Sequence, residues 1–294
     1  MLAEAVIKPS PLHSAAMLEF RPDTEFDSAA VLESARDVPY GPLTERAHLL
    51  DILRPASPST HRAAVMHIHG GGWTQYGKYL KDCVFLAEAG FCTISINYRY
   101  AQVAAFPAQL EDATLALRWV RDHAAALNID PSRVYVWGIS AGGHIAGMLG
   151  MQAQLQLRGV GAICAPSDLT DQAAWHSEYA DPHGGFQTLL GARGDAQPEL
   201  AARTSPALQV SSRAAPFLIV HGELDAHVPV SQGLELHAAL RAVDVPAKLH
   251  LIPDGDHFIN ESHRRVMQTS LLEFFTALEQ SSSGALESRE EATI

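Results

Sequence analysis

Ser140 stands in the run Trp137-Gly138-Ile139-Ser140-Ala141-Gly142-Gly143-His144, where three glycines crowd one hydroxyl. Glycine loses more conformational freedom on folding than any other residue, so a cluster marks backbone that a side chain would block. The β-rich run Arg133–Gly138 precedes the serine, and the helix-compatible run Ile145–Met151 follows it. Gly138-x-Ser140-x-Gly142 therefore falls at a strand-to-helix turn. Such a turn exposes the serine hydroxyl on strained backbone and aims the next N–H, that of Ala141, into the same site. The helix N-terminus adds positive potential where an oxyanion would form. The chemistry these residues suit is nucleophilic attack on an acyl carbon; the rival is an ordinary glycine turn, which the strand-helix context disfavours.

A second cluster, His69-Gly70-Gly71-Gly72-Trp73, follows the run Ala63–His69. Acyl transfer needs at least two N–H groups aimed at the developing oxyanion, and glycines let the backbone turn them there. Gly71 and Gly72 are assigned as donors with Ala141. A phosphate cradle would use similar glycines, but no G-x-x-x-x-G-K-[ST] is present.

These residues need strands to hold them. Beta-rich runs fall at His48–Leu53, Ala63–His69, Phe91–Tyr98, Arg133–Gly138, Gly159–Cys164, Pro216–Gly222 and Ala247–Ile252, several apolar throughout, as parallel strands covered on both faces are. Between them, Leu110, Ala113, Leu117, Val120, Ala124 and Leu127 recur at helical spacing, as do Met267, Leu271, Phe274, Phe275 and Leu278. The alternation predicts one doubly wound α/β domain with its site at the carboxyl ends of the strands. From Ser167 to about Ser212 no strong strand appears, and Trp175, His176, Tyr179, His183 and Phe186 gather there. A lid inserted over the strand ends is expected at 167–212.

The 294 residues are 47% hydrophobic and 18% charged, enough for a sizeable core. A net charge of −12 with no basic run argues against a nucleic-acid surface. Cys83, Cys92 and Cys164 are too few and scattered for a disulfide framework and read as buried thiols. Neither a secretory signal nor an apolar run of membrane-spanning length is found, so a soluble, cytoplasmic chain with no membrane partner is expected. Residues 1–36 read as an arm or partial cap with helical fragments at Ala15–Phe20 and Ser28–Arg36, residues 37–279 as the domain, and the polar 280–294 as a disordered tail.

HGGGW, GISAGG and the intervening NYRY and FPAQLED stretches resemble the α/β-hydrolase superfamily. More narrowly they resemble its HGGG-type esterase/lipase branch, which includes hormone-sensitive-lipase-like and bacterial feruloyl-esterase-like carboxylesterases. The resemblance covers about His48 to Leu278 and implies a mostly parallel, eight-stranded sheet with helices on both faces and a short lid. It also implies that the acid and base follow the nucleophile in the order Ser, Asp, His. His221–Pro229, HGELDAHVP, resembles the family's HG-x-x-D-x-x-VP segment, with Asp225 at the acid position and Glu223 at a variable one. His257, in Pro253–Phe258, matches the family's G-x-x-H-x-F ending in shortened form. The implied catalytic residues are Ser140, Asp225 and His257, with Tyr98-Arg99 as a supporting strand-end pair.

The remaining candidates carry plain alternatives. His144 and His227 can border the pocket, and Trp73, Trp175, Tyr179 and Phe186 can line it, although core packing suits each aromatic equally well. Asp168 either lines the pocket or caps a turn. Of the fifteen histidines, His67 and His69 share a strand, but no further ligand completes a metal site, so neither metal nor cofactor is expected. The function implied is a serine carboxylesterase acting on small to medium acyl or aryl esters through an acyl-enzyme. A feruloyl esterase, an arylformamidase or a non-catalytic receptor on the same fold are the alternatives. The partner expected is a small-molecule ester, with a homodimer left open.

Overall fold

Seven of the apolar runs named above become neighbouring strands of one sheet. A computed structural model describes residues 18–26, 28, 30–57, 62–170, 185–191, 197–257 and 261–290. The strands are β1 (Arg21–Pro22), β2 (Leu32–Pro39), β3 (Leu49–Pro55), β4 (Ala64–Ile68), β5 (Cys92–Ile96), β6 (Val134–Ile139), β7 (Gly159–Ile163), β8 (Phe217–Gly222) and β9 (Ala247–Ile252). Their order across the sheet is β1-β2-β3-β5-β4-β6-β7-β8-β9. From β5 to β9 every pairing is parallel; β1, β2 and β3 add antiparallel edges.

Every residue of β4, β5, β7 and β8 is buried, which explains their uninterrupted apolarity. Side chains alternate between two cores. Met66, Val136, Ala162 and Ile219 face α2 (Ala108–Asp122), α4 (Ala141–Gly150) and α7 (Val230–Ala242). Val65, Trp137, Ile163 and Val220 face α1 (Val84–Glu88) and α8 (Glu261–Glu290), where Met267, Leu271, Phe274 and Phe275 form the stripe read from the sequence. The fold is a doubly wound α/β domain, with α3 (Ala124–Leu127) extending the α2 stripe. Among the described residues no helix is long and apolar enough to cross a membrane.

Three expectations change. The sheet has nine strands rather than eight, because the short β1 joins its edge. Ser28–Arg36 is not helical: Leu32 begins β2, which pairs with β3. Leu32 and Ala35 sit three apart like one helix face, yet they enter different cores on opposite faces of the strand. Of the tail expected to be disordered, 280–290 continue α8 as far as Glu290, since Glu is a good helix former as well as a residue common in disorder, and 291–294 lie outside the described residues. Within 167–212 the described residues form α5 (Gly185–Leu190), α6 (Pro198–Arg203) and a 3-10 turn at Pro206–Gln209. Ala15–Met17, Trp175, His176, Tyr179 and His183 lie outside the described residues.

Candidate active site

Strand order makes the site. The chain moves outward from β4 to β5, then returns past β4 to β6, so β4 and β6 are neighbours at the point where the order reverses. Ile68 pairs with Gly138, and the loops leaving both strands therefore start at one level. One carries His69–Trp73; the other carries Ser140.

Ser140 caps α4 with φ 54° and ψ −123°, a conformation that strains any residue bearing a Cβ. A Cβ on Gly138 would lie 2.4 Å from the Gly142 carbonyl carbon, and one on Gly142 would lie 2.0 Å from the Ile68 carbonyl oxygen. The two glycines let the sharp turn close against β4. Gly71 and Gly72 hold φ of 101° and 56°, left-handed values suited to glycine. Among the described residues no backbone acceptor engages the N–H of Gly71, Gly72 or Ala141.

The loops after β8 and β9 bring two more groups to Ser140. His257 Nε2 is 3.0 Å from Ser140 Oγ, and its Nδ1 is 2.7 Å from Asp225 Oδ2. Asp225 Oδ1 accepts the N–H groups of His227 and Val228 at 2.9 and 2.8 Å. Burial alone would favour the neutral acid, but hydrogen bonds from His221, His257 and Val228 hold the Asp225 carboxyl well below the usual carboxylate range. Glu223 is exposed and apart from this chain of bonds. The arrangement can take a proton from a serine hydroxyl and stabilise the resulting imidazolium.

A cavity of about 730 Å³ opens on Ser140 and His257, walled by Gly70, Gly71, Gly72, Tyr76, Gly185 and His227 among others. His227 lies beside His257, ring centroids 5.1 Å apart. Trp73 and His144 are absent from this wall. Each is 1% exposed, and they meet in the core, where Trp73 Nε1 donates to His144 Nδ1 at 3.2 Å. His144 Nε2 in turn reaches the Thr204 carbonyl at 2.7 Å, just beyond α6. Burial lowers the His144 imidazole to about 4, so the neutral ring acts as a strut between the glycine loop, α4 and the inserted segment. Phe186 is likewise buried in the core. Asp168 Oδ1 accepts from the Thr170 N–H at 2.8 Å, the turn role, and does not line the cavity.

Beneath the glycine loop, His69 Nδ1 bonds the Gly70 carbonyl at 2.7 Å and its ring stacks on Tyr98. Burial brings this imidazole down to about 3. Tyr98 donates to the His69 carbonyl at 3.1 Å, while Arg99 clamps Asp112, which also bonds His48. The NYRY and FPAQLED stretches thus meet each other and brace the loop. Sequence reasoning missed His221, buried beside Asp225 with Nε2 3.5 Å from Oδ2; its only signal was its place in HGELD.

The BD-FAE family model matches residues 50–240. Esterase LipQ of Mycobacterium tuberculosis is 31% identical over 220 residues, 70% of this chain and 52% of that protein. Ethyl acetate hydrolase of Pseudomonas putida is 31% identical over 272 residues, 84% of both chains. Against LipQ and Esterase LipC the chain spans about half the relative's length, 52% and 55%. A truncated carbohydrate esterase from gut microbiota superposes with a TM-score of 0.75 at 25% identity, over 88% of this chain and 100% of that one. With its glycine loop, serine turn and sheet order, the chain belongs to the BD-FAE family, in the HGGG-type esterase branch of the α/β-hydrolase superfamily.

Proposed function

We propose that the chain is a serine carboxylesterase that hydrolyses small to medium acyl or aryl esters. One observation carries the reading: Ser140 Oγ, His257 and Asp225 form a continuous hydrogen-bonded line of 3.0 and 2.7 Å, with Ser140 and His257 on the wall of the cavity. Ser140 attacks the ester carbonyl as His257 Nε2 takes its proton. The oxyanion is received by the N–H groups of Gly71, Gly72 and Ala141, and each such donor is worth about a hundredfold or more in rate. His257 then returns the proton to the departing alcohol, leaving Ser140 acylated. Water, activated by the same imidazole, releases the acid and restores the hydroxyl. Asp225, held anionic, orients His257 and stabilises its charged form.

The size of the cavity suits a compact ester. The relatives, two esterases and an ethyl acetate hydrolase, favour the same bond. The test is hydrolysis of p-nitrophenyl acetate, butyrate and decanoate beside methyl ferulate and N-formylkynurenine, with Ser140→Ala as control. Short-chain turnover lost in the variant supports the carboxylesterase. A dominant ferulate or formamide rate moves the substrate class, and silence from folded protein on all five overturns the reading.

A further inference from the structure

Asp225 faces the proposed base with Oδ2, and a second histidine stands beside that same oxygen. His221, at the end of β8, is 0% exposed and places Nε2 3.5 Å from Asp225 Oδ2. The same nitrogen lies 2.9 Å from the Val228 carbonyl oxygen. A carbonyl only accepts, so the proton sits on Nε2. Among the described residues Nδ1 is buried without a partner, and a second proton there would have no acceptor. His221 thus presents a single N–H dipole, divided between a carbonyl and the carboxylate.

Val228 closes a ring around the acid. Its N–H holds Asp225 Oδ1 at 2.8 Å, while its carbonyl fixes the imidazole that faces Oδ2. Cys164, just past β7, completes the enclosure: Cys164, His221 and Asp225 bring their donor atoms within 4.8 Å of one another. Cys164 has φ 44°, left-handed backbone that a residue with a Cβ adopts only under strain. By residue type the trio suits a cation. The Asp225 oxygens and His221 Nε2, however, are already committed to N–H and carbonyl partners. The cluster braces the acid.

We propose that His221 is a positioning residue, holding Asp225 Oδ2 where it receives the Nδ1–H of His257. The inference rests on the reading of Ser140, Asp225 and His257 given above. His221 is not part of the cavity wall, so it has no direct hold on substrate. Removing its N–H leaves the carboxylate charge undivided, and that charge then grips the imidazole proton more strongly. The ionisable groups around the pair are Cys164 beside β7, Asp225 and His227 on the loop after β8, and Asp256 and His257 on the loop after β9. None is altered by a substitution at 221.

The test compares wild type with His221→Gln, His221→Asn and His221→Leu. It measures kcat and KM on p-nitrophenyl acetate, and the rate at which a small fluorophosphonate labels Ser140, across acid and alkaline pH. Glutamine carries an N–H to nearly the position of Nε2; asparagine stops short and leucine has none. For Asn and Leu the expected result is a roughly tenfold fall in kcat and labelling rate, with KM within about twofold, as loss of one charge-assisted hydrogen bond gives. Their acid limb moves up by about half a pH unit, and Gln restores both. Equal behaviour of Gln and Asn, or an unmoved acid limb, overturns the proposal and leaves His221 as filling. If Leu fails to fold, the two amides carry the comparison. Wild type that is not labelled at Ser140 overturns the reading of the site and this inference with it. Labelling that ignores position 221 overturns the inference alone.

Discussion

Gly142 approaches Ile68 so closely that a methyl group on it would stand 2.0 Å from the Ile68 carbonyl oxygen and 2.6 Å from that of His69. Both obstacles are backbone and cannot swing aside. Gly142→Ala is therefore expected to destabilise the fold by about 3 kcal/mol, the upper range of overpacking, and to abolish hydrolysis by displacing Ala141. Gly72→Ala is the contrast. The nearest atom to a Cβ there is Thr74 Oγ1 at 3.9 Å, and only left-handed strain of about 1 kcal/mol remains. Urea unfolding of both proteins checks the difference; equal midpoints would show that the turn can relax.

Ser140 holds strained backbone at the head of α4. Ser140→Ala and Ser140→Gly should both be inactive, but they should not be equally stable. Glycine accepts φ 54° and ψ −123°, so the glycine variant is expected to gain about 1 kcal/mol over alanine, despite its freer unfolded chain. Thermal unfolding of the two proteins decides it, and an alanine variant as stable as the glycine one would deny the strain.

Asp225 links the site to acid stability. Its carboxyl titrates well below the ordinary value of about 3.9 in the folded protein. As pH falls below about 4 the unfolded chain takes up a proton that the folded one refuses, so stability drains away until the folded acid also protonates. Asp225→Asn removes that titration. The variant should lose stability less steeply than wild type below about pH 4, which denaturant midpoints across that window will show.

His144 acts in a higher window. Its folded value of about 4 lies below the unfolded 6.5. Its contribution is therefore complete above about pH 6.5 and is lost as pH falls toward 4. His144→Gln cannot titrate. It should be less stable than wild type near neutral pH by about 1–3 kcal/mol, because the strut to Trp73 and Thr204 is disturbed. The gap should narrow on acidification, and a gap of constant size would assign the acid loss to other groups.

The strands from β4 to β8 were legible because parallel strands buried on both faces leave little freedom in composition, while the antiparallel β3 and the partly exposed edge strand β9 showed as β-rich runs. The serine turn and the glycine loop were legible because close backbone approach demands glycine. Asp225 and His257 were placed by resemblance rather than by spacing, since two loops far apart in sequence meet only after the sheet forms. β2 was hidden because Leu32 and Ala35 serve two different cores. Trp73 and His144 flank the motifs and so looked like pocket residues. Nothing local reveals that the indole N–H and the imidazole satisfy each other inside the core. His221 carried no signal of its own, because its partner, Val228, is a carbonyl that any residue could supply.

The order of the strands also divides the labour of the molecule at one seam. The glycine loop and Ser140 lie before the inserted segment, and Asp225 and His257 lie after it; the halves meet where Val160 pairs with Phe217 and Ile163 with Val220. A chain opened within 171–184 would become two polypeptides, one holding the proposed nucleophile and its proposed anion cradle, the other the proposed acid and base. Neither alone could turn over an ester. Colour from a chromogenic substrate would then count reunions of β7 with β8, of α8 with the face of β6 and β7, and of His144 with Thr204, which suits this fold to a complementation reporter.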